Sequence, residues 1–157
     1  MDSDLVQIVD AALAQAVARG GSWIACKPGC CDCCLGPFPI SQSDAARLRA
    51  GLAELTLSDP ARALRVRDRV RHAIDRIDED DDPCPALDPE HGTCDLYAWR
   101  PLTCRTFGPA IRWNSDAVGI CELCFVGATE SQIADAAVKL DTPEDNSEET
   151  LVALALR

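Results

Sequence analysis

Five of the chain's ten cysteines fall within nine residues, in the run Cys26-Lys27-Pro28-Gly29-Cys30-Cys31-Asp32-Cys33-Cys34. So dense a run constrains the fold before any periodicity is read. Two residues separate Cys30 from Cys33, and two separate Cys31 from Cys34. That spacing lets one tight turn aim both sulfurs at a common metal ion, while amides of the turn donate to the sulfurs. Five sulfurs overfill one tetrahedron, so the run predicts two adjoining sites or bridging sulfurs. Cys84, Cys94 and Cys104 follow singly, and Cys121-Glu122-Leu123-Cys124 makes a further spaced pair. Two such pairs brought together form a four-cysteine site. The spacing leaves open which sulfurs would share an ion.

Sulfur this dense serves either disulfides or metals, and the compartment decides between them. The chain begins Met1-Asp2-Ser3-Asp4, acidic where a secretory leader is basic. No apolar run approaches the roughly 18–20 residues of a membrane span. The expectation is a cytoplasmic protein with reduced thiols that bind metal, with no membrane association. A net charge of −11 argues against non-specific nucleic-acid binding, which rests on basic side chains neutralising phosphates. No protein partner is indicated. The chain's 157 residues suffice for one domain, but only 4% are aromatic, which makes a thin core. Metal ligation would supply folding free energy that such a core lacks.

Periodicity predicts a mainly α, small single domain spanning residues 1–157, with about four to five helices around a loop-dominated, cysteine-rich metal centre. Its core is expected over 22–127, flanked by helical segments 4–19 and 129–156. Leu5, Ile8, Val9, Ala12, Ala16 and Val17 mark the first helix, which Gly20-Gly21 stops. A second helix is expected from Gln42 to Leu55, with Ser41 and Asp44 resembling a capping box and Gly51 as its weak point. A third runs from Asp59 to Ile77, with Ser58 as cap, Pro60 in the first turn, and Arg62, Arg65, Arg69 and Arg76 along its outer side. Asp78 to Asp82 reads as a solvated acidic turn. Short extended pieces are expected near Thr93–Tyr97 and Ala110–Trp113. Thr129 with Gln132 opens a fourth helix reaching Leu140, and a last short helix falls near 148–156.

All-thiolate ligation suits both zinc and iron–sulfur clusters. Zinc is the leading expectation, because a fully ligated ion needs no special assembly; iron or an iron–sulfur cluster, with redox or catalytic activity, is the alternative. Cys26, Cys30 and Cys33 carry the CxxxCxxC spacing of radical-SAM enzymes, but a short helical chain cannot supply the large barrel those enzymes need. A further alternative is a partner-binding module shaped by its metals. Arg100 and Arg105, flanking Cys104, and Lys27, beside Cys26, are placed to donate to sulfur. His72 is expected on an exposed helix face, and His91 reads as a loop residue rather than a ligand. Trp23, Trp99 and Trp113 flank cysteine segments and would shield them; Tyr97, Trp99 and Phe107 are expected in one small core. No nucleophile–histidine arrangement or phosphate-binding glycine loop is present, and no carboxylate pair stands out, so nothing points to an enzyme.

Cys84-Pro85-Ala86-Leu87-Asp88, Gly92-Thr93-Cys94-Asp95-Leu96-Tyr97 and Arg100-Pro101-Leu102-Thr103-Cys104-Arg105-Thr106-Phe107, together with the upstream cysteine block, resemble the YkgJ-type cysteine-cluster family. That family is described as zinc- or iron-chelating. The resemblance spans roughly Cys26 to Cys124. It implies metal ligands at Cys26, Cys30, Cys33, Cys34, Cys84, Cys94 and Cys104, with a late ligand matching Cys121 or Cys124. Cys31 is an addition to the usual spacing. Flagellin lysine-N-methylases resemble this family in their cysteine clusters but are much longer, and no pocket for a methyl donor is evident here, so that activity is not carried over.

Overall fold

The computed structural model of the protein describes residues 2–113, 117–143 and 145–157. Among these residues six α-helices form: α1 (Asp2–Gly20), α2 (Gln42–Ser58), α3 (Pro60–Asp75), α4 (Leu102–Thr106), α5 (Glu130–Ala136) and α6 (Val152–Ala155). Seven two-residue strands accompany them: β1 (Pro39–Ile40), β2 (Leu87–Asp88), β3 (Thr93–Cys94), β4 (Ile111–Arg112), β5 (Val118–Gly119), β6 (Val138–Lys139) and β7 (Thr150–Leu151). The fold is mainly helical, with loops and short extended pieces around the cysteines. No helix is long and apolar enough to cross a membrane. Contacts gather the chain into two compact units, Met1–Lys27 with Leu102–Glu144 and Pro28–Pro101 with Asp145–Arg157.

In the second unit α2 and α3 form an antiparallel hairpin around one residue. Asp59 ends α2 by donating its amide to the Leu55 carbonyl, and its carboxylate then caps α3 by accepting from the Arg62 amide. The cap is therefore Asp59 rather than the expected Ser58, which completes α2. A carboxylate gains more than a hydroxyl at the positive end of a helix. Ser41 caps α2 through the Asp44 amide, as read. Leu48, Leu52, Leu55, Val66 and Val70 interdigitate between the two helices and meet Val152 and Leu156 from α6. Strand β1 pairs antiparallel with β7, so Thr150 and Leu151 are extended where a helix had been expected from 148.

In the first unit Val9 and Ala16 of α1 pack on Ile111, Val138 and Leu140. Ile8 and Val17, assigned to the inner face, are instead exposed. Strand β4 is central, antiparallel to β5 and parallel to β6. Thr129 and Gln132 form the reciprocal capping box of α5. That helix stops at Ala136, because Val138 and Lys139 leave it to pair with β4; Leu140 is thus a strand-end core residue, not a helical one.

Gly51 is the weak point of α2 by propensity, yet it is buried for a reason. A β-carbon there would stand 2.4 Å from Cγ of Trp99, whose ring lies against the helix backbone. Gly51→Ala gains about 1 kcal/mol of helix propensity and incurs about 1–3 kcal/mol of overpacking. The expected outcome is net destabilisation, read as a lower denaturant midpoint at unchanged slope; a raised midpoint would show that the ring yields freely.

Candidate metal centre

Six cysteines lie in the second unit, on three chain segments that the backbone draws together. The first segment, a short 3-10 turn over Asp32–Cys34, follows the loop from Gly29. It is pinned to the second by an antiparallel bridge of Leu35 with Pro83, by the Cys84 amide donating to the Cys34 carbonyl at 2.7 Å, and by the Gly36 amide donating to Asp82 at 2.9 Å. The third segment returns through the β2–β3 hairpin, where Leu87 pairs with Cys94. The Asp95 amide then donates to the Ala86 carbonyl at 2.8 Å. At the hairpin tip Gly92, with φ of 64°, comes so near the Gly29 backbone that a β-carbon would sit 2.9 Å from the Gly29 carbonyl oxygen. Only glycine tolerates both the positive φ and the approach.

Cys33, Cys34, Cys84 and Cys94 consequently feel one another. The Cys34 thiol donates to the Cys33 sulfur, lowering Cys33 to about 6 and driving Cys34 far up. Neighbouring Cys84 and Cys94 push Cys34 in the same direction. Burial raises Cys84 to about 12 and raises Cys94 as well. Donors oppose that burial. Amides of Ala86 and Leu87 point at the Cys84 sulfur, the Leu96 amide points at the Cys94 sulfur, and the Arg100 cation favours thiolate at Cys33 and Cys94. Amides two and three residues after a cysteine, aimed back at its sulfur, make the hydrogen-bonded turn that thiolate ligands use. Cys30 and Cys31 lie half-buried on the same loop.

The other four cysteines lie in the first unit. Cys121 and Cys124 close a turn through the Cys124 amide and the Cys121 carbonyl at 2.9 Å, and both are buried. The Cys124 sulfur accepts from the Ala25 amide at 3.4 Å and stands 3.9 Å from the Cys26 sulfur. Tetrahedral zinc with bonds of about 2.3 Å spaces its sulfurs about 3.8 Å apart, so this pair fits one edge of a thiolate tetrahedron. The Cys26 sulfur occupies a notch over Gly108, where a β-carbon would lie 2.5 Å from it. Trp23 stacks on Phe125 at 6.5 Å between centroids and packs against the cluster that holds Cys121 and Cys124. Cys104 sits half-buried on α4.

Arg105 grips Asp10 of α1 through two hydrogen bonds of 2.9 and 2.8 Å. Tyr97 and Phe107 are not core residues; Tyr97 is exposed with the Arg100 guanidinium over its ring at 3.7 Å, and Phe107 is exposed. Trp113 packs with Val9 and Ile111, and Trp99 with the helical hairpin. His72 is exposed. His91 is exposed and pairs with Asp88 at 2.7 Å. Among the described residues, Asp88, Glu90 and His91 bring three donor atoms within 4.8 Å of one another on the hairpin. Sequence reasoning missed Asp95, a buried carboxylate held by Arg62 and Arg69. Its only local signals are its place beside Cys94 and the seven-residue spacing of two arginines on one helix face.

A mainly helical fold that folds amides and cations around clustered sulfurs is that of a cysteine-rich metal-chelating domain. The chain belongs to the CxxCxxCC family, described as a "Putative zinc- or iron-chelating domain", whose match covers residues 25–135. Comparisons with curated proteins and with solved structures returned no match.

The Cys33–Cys34 pair is directly testable in metal-free protein. A thiol lowered to about 6 is mostly thiolate at pH 7 and mostly protonated at pH 5. Alkylation should mark Cys33 first, with a rate that rises through pH 6. Cys34→Ala removes the donor and should move that rise toward the ordinary thiol value of about 8.5. Peptide mass mapping across a pH series reads both outcomes.

Proposed function

We propose that the chain chelates zinc or iron through nine thiolates at two positions. Cys30, Cys33, Cys34, Cys84 and Cys94 supply the ligands of one, and Cys26, Cys104, Cys121 and Cys124 those of the other. The observation that carries this reading is the joining of three cysteine-bearing segments, by the Cys84 amide on the Cys34 carbonyl and by the pairing of Leu87 with Cys94, with amides and the Arg100 cation near their sulfurs. Nothing in an apolar core calls for so many donors facing sulfur. Among the described residues no cysteine is joined in a disulfide, as a reducing compartment such as the cytoplasm would keep them. A bound cation would take the place of the proton that the hydrogen bond to Cys33 keeps on Cys34 and of those that burial keeps on Cys84 and Cys94.

Zinc is the favoured reading, since thiolates with donated amides make a closed structural site that couples ligation to folding. Anaerobic purification followed by metal analysis and an absorption spectrum tests it. Stoichiometric zinc in a colourless protein is expected; a brown protein with iron would move the assignment to an iron–sulfur cluster, and neither metal would overturn chelation. Cys84→Ser and Cys124→Ser should each remove part of the metal and together remove nearly all of it, whereas Cys31→Ser should remove little. Because ligation displaces thiol protons, metal retention should fall steeply on acidification.

A further inference from the structure

We infer that Arg69, acting with Asp95 and Arg62, is a positioning clamp that ties the Cys84 turn to the Cys94 turn so that the two can serve one metal; the inference rests on the thiolate reading above. Arg69 projects from α3 and does two things at once. Its Nε donates to the Pro85 carbonyl at 2.9 Å, and its Nη2 donates to Asp95. Pro85 follows Cys84 and Asp95 follows Cys94, so one guanidinium holds the residue after each cysteine. Arg62, two turns earlier on the same face, donates through Nε to the other oxygen of Asp95. The Asp95 amide closes the loop on the Ala86 carbonyl.

Asp95 is 5% exposed. A carboxylate buried beside sulfurs that must carry negative charge is an unfavourable choice unless cations exceed it. Here two arginines face one carboxylate, which leaves a net positive group next to the cysteine turns. A buried ion pair gives little stability beyond what apolar packing would give. What a planar guanidinium adds is direction, because its donors leave in a fixed fork.

The test is equilibrium competition for Zn2+ against a chelator, with full-length wild type, Arg69→Met, Arg69→Lys, Arg62→Met and Asp95→Asn, and Arg71→Met as control. Arg71 lies on the same helix, is exposed, and pairs with Asp68. Loss of a residue that orients metal ligands weakens binding about 10–100-fold. That loss is expected for Arg69→Met and also for Arg69→Lys, since lysine keeps the charge but cannot reach both Pro85 and Asp95. Arg71→Met should bind as wild type. Co2+-loaded Arg69→Lys should show ligand-field bands altered from wild type, a signature that a lowered folding stability alone would not produce. Wild-type affinity in Arg69→Lys with loss only in Arg69→Met would make the effect one of charge and overturn the clamp. Wild-type affinity in both, with only the metal-free melting temperature lowered, would reduce the network to a structural ion pair. Should Arg69→Met fail to fold, Arg69→Lys and Arg62→Met decide the matter. Absence of metal uptake by wild type is a separate result, visible without any variant, and would remove the thiolate reading itself.

Discussion

The pairing of the Cys34 segment with the Cys84 segment is the contact on which the arrangement of cysteines in the second unit depends. Residues 29–38 have no helical period and only scattered apolar side chains, so no core would fix them unaided. Two backbone hydrogen bonds and one bridge do so, with partners that directly follow the acidic turn after α3. The position of the cysteine loop is thereby set by the length of a helix and a turn. Cys84 and Cys94 extend the attachment inward, since both pack against the helical core. A protonated thiol in apolar surroundings behaves as a small hydrophobe. The burial that raises Cys84 and Cys94 therefore gives these loops some hold on the core.

What could be read from the chain follows the range of the forces involved. Helices α2 and α3 were legible because their stripes repeat every turn, and the caps at Ser41 and Thr129 because a cap is settled within four residues. Asp59 was misread by one position, as a single residue there serves both helices. The strands at Val138–Lys139 and Thr150–Leu151 left no pattern. Two residues are too short for alternation, and they are extended only because β4 and β1 offer them partners from distant sequence. Cysteine spacing announced metal chemistry and the family, but not the allocation of sulfurs, which depends on pairings such as Leu35 with Pro83. Asp95 was overlooked for the same reason: its partners Arg62 and Arg69 lie 33 and 26 residues away.

The two units solve one problem in parallel ways. Each must fasten a cysteine-bearing segment of little regular structure to a long helix, and each uses an ion pair placed one residue from a cysteine. Beside Cys94 it is Asp95, reached by two arginines of α3; beside Cys104 it is Arg105, buried and gripping Asp10 of α1. Apolar contacts at these places would hold the segments as firmly, yet they are non-directional and allow sliding. Thiolates that share a metal cannot tolerate sliding, because bond lengths near 2.3 Å leave only a few tenths of an ångström of latitude. Hydrogen-bonded ion pairs fix both distance and angle, and they keep a charge of chosen sign near the sulfurs. Two of the chain's buried charged groups, Asp95 and Arg105, thus each stand one residue from a cysteine, while a third, Asp44, pairs with Arg47 within α2.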